Sequence, residues 1–269
     1  MSSTAPRLDW QAILAEASRI VQSYGTGVTL RQLFYRLVAA ELLPNSQSAY
    51  KTLSSRSAAA RRRGEFPDLI DRTRDIHRYR TFGGAEDARQ WLRGIYRRDR
   101  TEGQPYSLYL GVEKNGIVEQ LRSWFGEYGF PILALGGYSS QSYVTEVIAD
   151  VREQERPAVL IYAGDYDPSG EDIDRDFLAR TDCFSRILRV ALTPEQVDTY
   201  HLPPQPGKKT DPRAASFVKR HGSLVQVELD ALSPQDLRTL YTRAIAEFFD
   251  ESAYNDCLTQ EKEERRCLA

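Results

Sequence analysis

The chain has 269 residues, of which 41% are hydrophobic and 28% are charged, and its formal net charge is −2. This length is sufficient for two domains, and the composition is that of a globular protein. The chain has no apolar run of about 18 residues, no signal-peptide segment at its N-terminus, and three scattered cysteines without CxxC spacing. We therefore expect a cytoplasmic protein without a membrane span, a disulfide framework or a thiolate metal site.

The first part of the chain predicts three short helices. Apolar residues at helical spacing indicate a helix within residues 1–24. A second helix follows a typical N-cap threonine and places Arg31 and Tyr35 one turn apart, where their side chains can touch. A third helix covers residues 48–63 and ends at a glycine. Together they predict a helix-turn-helix or winged-helix unit, with residues 66–80 as its wing or as a strand pair.

Positive charge is concentrated in residues 51–100, which carry a net charge of +7, whereas the rest of the chain carries −9. This asymmetry predicts a surface that binds a polyanion such as double-stranded DNA. The predicted contacts belong to the third helix and are Arg56, Arg61, Arg62 and Arg63. The alternative is that these arginines form an ordinary solvated helix face.

After an amphipathic helix that follows Gly84, the sequence changes to alternating strands and helices. This rhythm predicts an α/β fold with a mostly parallel sheet flanked by helices. We expect an N-terminal domain at 1–103, a second domain at 104–245, and an acidic tail at 246–269 whose helix serves in assembly. The predicted strands cover residues 107–112, 131–137, 158–163, 185–191 and 224–228.

Carboxylates follow two of the predicted strands. Asp165 and Asp167 come after the third strand, in the sequence GDYDPSGEDI, and Glu113 comes directly after the first. The carboxyl ends of parallel strands lie on one edge of the sheet, so these three side chains should converge there. Clustered carboxylates repel one another unless a cation lies between them, and oxygen ligands suit a hard divalent ion. The alternative is a solvated acidic turn.

Several of these stretches resemble one family. A strand ending in glutamate, a second ending in a glycine turn, and a third ending in Asp-x-Asp resemble the Toprim domain of topoisomerases, primases and related nucleases. The resemblance is greater to the topoisomerase VI A subunit and its meiotic Spo-eleven relatives, through the stretches VEKNGIVEQL, LGGYSS and GDYDPSGEDI. TLRQLFYRL is similar to that family's catalytic helix, and ELDAL to a late motif. The resemblance covers most of residues 25–240 and implies a winged-helix domain followed by a Toprim domain.

The resemblance also implies a reaction, DNA strand breakage by transesterification. It implies that Tyr35 is the nucleophile and Arg31 its neighbour, and that Glu113, Asp165 and Asp167 bind Mg²⁺ or Mn²⁺, with Glu113 also counted among the catalytic residues. In this family the tyrosine of one subunit works with the metal site of the other, so a homodimer is expected. The product would be a reversible phosphotyrosyl link between protein and DNA.

The sequence departs from the family in three ways. The second strand ends in Gly136-Gly137-Tyr138 without the usual lysine, the chain is short, and no ATPase domain is present. A minimal version of the family is therefore expected, with a separate ATPase or accessory subunit for strand passage. Two other classes stay open, namely a hydrolytic Toprim endonuclease that does not use Tyr35, and a DNA-binding subunit of a larger complex.

Some residues keep two interpretations. Tyr35 is either the nucleophile or a packed aromatic in contact with Arg31. Lys114 either contacts a DNA phosphate or caps the end of its strand. The pair at 228 and 230 either joins the metal site or is a structural acidic pair. Lys208 and Lys209, in a proline-rich loop, either contact DNA or keep that loop soluble.

Overall fold

The computed structural model describes residues 8–24, 27–70, 79–206 and 211–268. The predicted DNA contacts Lys208 and Lys209 lie outside the described residues, as does most of the predicted wing. Within the described residues, no helix is long and apolar enough to cross a membrane. The three cysteines are all free thiols.

The three predicted N-terminal helices are confirmed as α1 (Trp10–Ser23), α2 (Leu30–Ala39) and α3 (Gln47–Arg62). Thr29 caps α2 as expected, because its hydroxyl accepts the N–H of Gln32 while the Gln32 side chain accepts the N–H of Thr29. The apolar stripes of these helices face one another and form the N-terminal part of the core. Ser46, rather than a residue further along, caps α3, which explains its slightly earlier start.

The segment after α3 differs from the prediction where it is described. Residues 66–70 and 79–80 contain no strand, so the wing is not seen in that part. The predicted amphipathic helix is present as α4 (Ala85–Ile95), but among the described residues none of its side chains is buried. Leu92 and Ile95 remain 44% and 47% exposed. Its apolar side therefore adds little to the core of this chain.

The second half of the chain contains a sheet of four parallel strands. The strands are β1 (Ser107–Val112), β2 (Ile132–Ala134), β3 (Ala158–Ala163) and β4 (Arg186–Ala191), and their order is β2-β1-β3-β4. Every residue of β1 and β3 is buried, as continuous apolar runs in a central parallel sheet require. The connecting helices are α5 (Asn115–Phe125), α6 (Gln141–Glu153) and α7 (Pro168–Thr181).

Both faces of the sheet are covered by helices, as predicted. Leu110 of β1 and Ile161 of β3 belong to the core on the face that packs with α5 and the N-terminal helices. Tyr109 and Leu160 belong to a second core on the opposite face, with α6 and α7. The other α-helices of the described residues are α8 (Pro194–Thr199), α9 (Ala214–His221), α10 (Pro234–Ala246) and α11 (Glu251–Cys267), and Leu229–Ala231 form a short 3-10 helix.

The predicted fifth strand of the sheet is wrong. Only β6 (Val225–Gln226) is extended there, and it pairs antiparallel with β5 (Gln205–Pro206), apart from the main sheet. The chain then exchanges two backbone hydrogen bonds of 2.9 Å with Tyr166, through Val227. This segment therefore crosses the carboxyl edge of the sheet and covers the acidic turn after β3, instead of adding a strand beside β4.

The acidic tail is packed against its own chain. The Glu261 carboxylate on α11 receives two hydrogen bonds from the Arg100 guanidinium, at 2.7 and 2.9 Å, and one from the N–H of Arg98. Glu261 is only 2% exposed. The carboxylate therefore anchors α11 to the segment that joins the N-terminal helices to the sheet. The sequence predicted an assembly role for this helix and did not predict this contact within the chain.

Candidate functional site

The predicted carboxylates lie at the point where the strand order of the sheet reverses. β1 has β2 on one side and β3 on the other, so the connections from β1 and from β2 run in opposite directions across the sheet. Such a switch point leaves a crevice outside the carboxyl ends of the two central strands, where α/β proteins bind ligands. Glu113 follows β1 and Asp165 follows β3, so the predicted convergence of these two residues is confirmed.

Glu113 and Asp165 are in direct contact. Glu113 Oε2 accepts the backbone N–H of Asp165 at 2.8 Å, and the Glu113 N–H donates to Ala163 at 3.0 Å. The Asp165 carboxylate accepts the N–H of Leu229 at 2.8 Å through Oδ1. Asp165 is 5% exposed. The segment that crosses the sheet edge therefore fixes one carboxylate oxygen, while the other faces the centre of the cluster.

Asp167, which the sequence predicted as a metal ligand, has a structural role as the cap of a helix. It is the N-cap of α7, and its Oδ1 accepts the N–H of Gly170 at 2.6 Å. A Cβ on Gly170 would lie 3.3 Å from Asp167 Oδ1, 3.4 Å from Glu113 Oε2 and only 2.9 Å from the backbone oxygen of Asp165. Glycine is required there because the first turn of α7 passes so close to all three acidic residues.

Lys114 lies inside the cluster. Its ammonium is 2.5 Å from Asp165 Oδ2 and 2.8 Å from Glu228 Oε2. Burial alone would lower the pKa of Lys114, but Asp165 and Glu228 raise it, so the side chain stays charged. Lys114, which was predicted either to contact a DNA phosphate or to cap its strand, thus pairs with two carboxylates. Glu228 belongs to the same acidic cluster.

Arg31 closes the other side of the cluster. Its guanidinium donates to Glu228 and lies 3.7 Å from Asp230, which is 4% exposed. Burial raises the pKa of Asp230 to about 6. Burial would also raise the pKa of Glu228, but Lys114 and Arg31 together lower it. Arg31 therefore connects helix α2, which carries Tyr35, to the acidic edge of the sheet within one chain.

The Tyr35 hydroxyl lies in a pocket of about 650 Å³ beside this cluster. Tyr35 is 5% exposed, and its oxygen accepts a hydrogen bond of 2.9 Å from the Gln205 side chain on β5. Burial, and then the charge of Glu228, raise the pKa of Tyr35, whereas Arg31 and Gln205 favour the phenolate. The pocket is lined by Arg31, Phe34, Tyr35, Asn45, Ser46, Gln47, Tyr50, Gln205 and Glu228.

The predicted DNA contacts among the arginines lie on α3 or at its C-cap, and none of them lines this pocket. Arg56 stacks on the Trp10 ring at 5.1 Å, and Arg63 forms an ion pair of 2.6 Å with Glu65. Arg62 is exposed and Arg61 half-buried. Among the described residues, Arg61 and Arg62 are therefore the members of this set with neither an ion pair nor a ring contact.

The cluster satisfies some requirements of a divalent cation site and not others. Five carboxylates face two cationic side chains, and all the donors are oxygen atoms, the ligands that Mg²⁺ and Mn²⁺ prefer. Burial, and then the charge of Asp165, raise the pKa of Glu113 to about 7, so negative charge there is incompletely balanced. However, no three acidic, histidine or cysteine side chains in the described ranges are arranged to hold a metal ion. The donor chemistry fits, provided that Lys114 leaves Asp165.

Two contacts of this candidate site were missed by the sequence analysis. Gln205, the partner of Tyr35, is 170 residues further along the chain, and Glu228 is 197 residues from Arg31. No local pattern reveals pairs of this separation. The ELDAL stretch was the available pointer to the second contact, because it contains both Glu228 and Asp230.

The fold and the site define an α/β protein with a buried acidic cluster, bridged by a lysine and an arginine, at the switch point of a parallel sheet. Comparison with models of known protein families gives no match, and no curated protein matches the chain. The function must therefore be argued from the geometry and chemistry of the site.

The raised pKa of Glu113 predicts how stability depends on pH. Its carboxyl has a pKa of about 7 in the folded chain, against 4.5 ordinarily, so the folded state binds the proton more tightly between these pH values. Stability should therefore fall as pH rises through this window. With EDTA present, we expect Glu113→Gln to be more stable than the wild type at pH 8, by about 1–3 kcal/mol, since one pKa unit corresponds to about 1.4 kcal/mol.

Chemical denaturation at a series of pH values checks this expectation. At pH 4 the two proteins should differ least, because Glu113 is then protonated in both states. Glu127→Gln, at an exposed position after α5, is the matched control and should follow the wild-type curve. An equal loss of stability with pH in wild type and Glu113→Gln would contradict the assignment.

Proposed function

We propose that this chain cleaves DNA by metal-dependent transesterification, with Tyr35 as the nucleophile. The observation that carries the proposal is the chain of contacts from α2 to the sheet. Arg31 connects the helix of Tyr35 to Glu228, and Lys114 connects Glu228 to Asp165. Tyr35 and one carboxylate of the cluster, that of Glu228, thus line one pocket, which is large enough for a DNA phosphate and its adjacent sugars.

The proposal includes the finer domain assignments. The three N-terminal helices act as a DNA-binding unit of the winged-helix type, and the sheet with its acidic edge acts as a Toprim domain. The active form is a homodimer that works with a separate ATPase or accessory subunit. The ion pairs from Arg31 on α2 to Glu228 and Asp230 support the two-unit assignment, because within one chain they join the N-terminal helices to the acidic edge of the sheet.

The reaction exchanges one phosphodiester for another. The Tyr35 oxygen attacks the phosphorus and loses its proton, the bond from phosphorus to the 3′ oxygen breaks, and that oxygen gains a proton. Arg31 and Gln205 stabilise negative charge on the phenolic oxygen. Glu113, Asp165 and Asp167 would hold Mg²⁺ or Mn²⁺, which neutralises phosphate charge when bound.

One observation favours a second candidate function. Burial and Glu228 raise the pKa of Tyr35, which disfavours the phenolate needed for attack. In a hydrolytic nuclease, water would replace the tyrosine as nucleophile and Tyr35 would only line the pocket. The third class, a DNA-binding subunit without cleavage of its own, agrees with Lys114 occupying Asp165.

Trapping of covalent complexes distinguishes these candidates. The full chain is incubated with supercoiled and linear duplex DNA in Mg²⁺ or Mn²⁺, denatured, and digested with nuclease. Transesterification predicts phosphotyrosine at position 35, linked to 5′ DNA ends. Cleavage that yields only free 5′ ends supports hydrolysis. Neither cleavage nor adduct, in the presence of bound DNA, refutes both enzymatic proposals.

The basic helix gives a separate prediction about binding. We expect Arg61→Ala combined with Arg62→Ala to weaken DNA binding and to reduce the slope of log Kobs against log salt concentration by about 1.8, at about 0.9 per lost phosphate contact. Fluorescence anisotropy on a duplex at several salt concentrations measures both quantities. Arg19→Ala, on α1 and paired with Glu16, is the control. An unchanged slope would mean that α3 does not contact phosphates.

A further inference from the structure

The ammonium of Lys114 binds one oxygen of the Asp165 carboxylate at the acidic edge of the sheet. It lies 2.5 Å from Asp165 Oδ2 and 2.8 Å from Glu228 Oε2, and the other Asp165 oxygen is taken by the N–H of Leu229. Lys114 is the residue next to Glu113 and the N-cap of α5, so its backbone is fixed beside the acidic edge. The lysine is thus a tethered counter-ion of the cluster.

An ammonium and a metal ion cannot share this position. Magnesium–oxygen distances are about 2.1 Å, so an ion bound to Asp165 Oδ2 would stand within about 4.6 Å of an ammonium on the same oxygen. Two positive charges at that separation in a buried site repel strongly. The other Asp165 oxygen already accepts the N–H of Leu229, which fixes the orientation of the carboxylate and directs Oδ2 at the ammonium.

Arg31 provides a useful contrast. It also neutralises the cluster, but its guanidinium contacts Glu228 and Asp230. Removing either cation increases the negative charge of the cluster by one unit. Only removal of Lys114 also frees Asp165 Oδ2. Steric and electrostatic competition at Asp165 can therefore be separated from a general effect of charge.

We propose that Lys114 is a built-in competitor for the cation site, which binds Asp165 when no divalent ion is present and is displaced when one binds. This inference rests on the proposed assignment of Glu113, Asp165 and Asp167 as cation ligands. Once displaced, the ammonium is available to a DNA phosphate at the same edge. DNA should then favour metal binding, and metal should favour DNA binding, by the same factor.

Titration with Mn²⁺, followed by electron paramagnetic resonance of the free ion, tests the competition without DNA and without cleavage. Lys114→Met preserves side-chain length and removes the charge, and we expect it to lower the Kd for Mn²⁺ at least about tenfold. Arg31→Met, the matched control, should lower it about threefold or less. Equal effects of the two substitutions, no effect of Lys114→Met, or no Mn²⁺ binding by either protein would overturn the proposal.

A second measurement uses the wild-type chain and does not depend on how Lys114→Met folds. An amine-acylating reagent followed by mass spectrometry reports the reactivity of each lysine. Lys114 should be protected without divalent ions and become at least about fivefold more reactive in saturating Mg²⁺, because the ion displaces it. The exposed Lys51 should not change. Continued protection of Lys114 in Mg²⁺ would overturn the proposal.

The two proposals fail in different ways. Competition between Lys114 and Mn²⁺ in a chain that does not cleave DNA would leave this inference intact and refute the enzymatic function. If the wild-type chain cleaves DNA but Lys114→Met leaves the Mn²⁺ affinity unchanged, the enzymatic function stands and this inference is refuted.

Discussion

Tyr35→Phe is expected to abolish the covalent complex with DNA and to lower the cleavage rate at least about a thousandfold, because it removes the atom that would attack phosphorus. The change keeps the ring. Tyr35 packs edge-on against Phe34 with ring centres 5.4 Å apart, a contact that phenylalanine preserves. The change removes the 2.9 Å hydrogen bond from Gln205 and the interaction of the hydroxyl with Arg31. Folding should therefore be little affected.

The comparison is made by single-turnover cleavage and by trapping under denaturing conditions. Tyr50→Phe is the matched control, since Tyr50 lines the same pocket and its substitution also removes one hydroxyl. It should cleave at nearly the wild-type rate. If Tyr35→Phe retains cleavage in Mg²⁺ or Mn²⁺ and yields free 5′ ends, water is the nucleophile and the hydrolytic candidate replaces the transesterase.

The central part of the fold could be predicted from the sequence because its physical causes are local. Residues 158–163 form a continuous apolar run that stops at a glycine, and β3 has those same bounds. The placement of Glu113 beside Asp165 followed from a single rule, that parallel strands end on one edge. The observed order, with β1 next to β3, is what brings the two residues into contact.

The errors concern interactions between distant parts of the chain. The stretch at 224–228 has the composition of a strand, but it crosses the sheet edge because Val227 pairs with Tyr166. Whether an apolar stretch pairs at the edge or across it depends on contacts that its own sequence does not contain. The same limit applies to Lys114, which the sequence placed correctly at the strand end but whose two carboxylate partners depend on the folded chain.

Asp165→Asn is expected to lower DNA cleavage at least about a hundredfold while DNA affinity stays within about twofold, if Asp165 holds a catalytic cation. Asparagine has nearly the same shape, and its side-chain oxygen can still accept the N–H of Leu229. What is lost is the negative charge at the centre of the cluster. A DNA-binding subunit without its own activity would show no such separation of cleavage from binding.

Asp172→Asn, at a half-buried position of α7 where the carboxylate pairs with Arg175 and Arg213, is the control for loss of one acidic charge near the site. It should leave cleavage unchanged. Asp167→Asn makes the test sharper, because asparagine caps helices as well as aspartate does and therefore preserves the start of α7. If Asp167 only caps α7, that variant should cleave normally. If it is also a cation ligand, cleavage should fall with Asp165→Asn although the helix is intact.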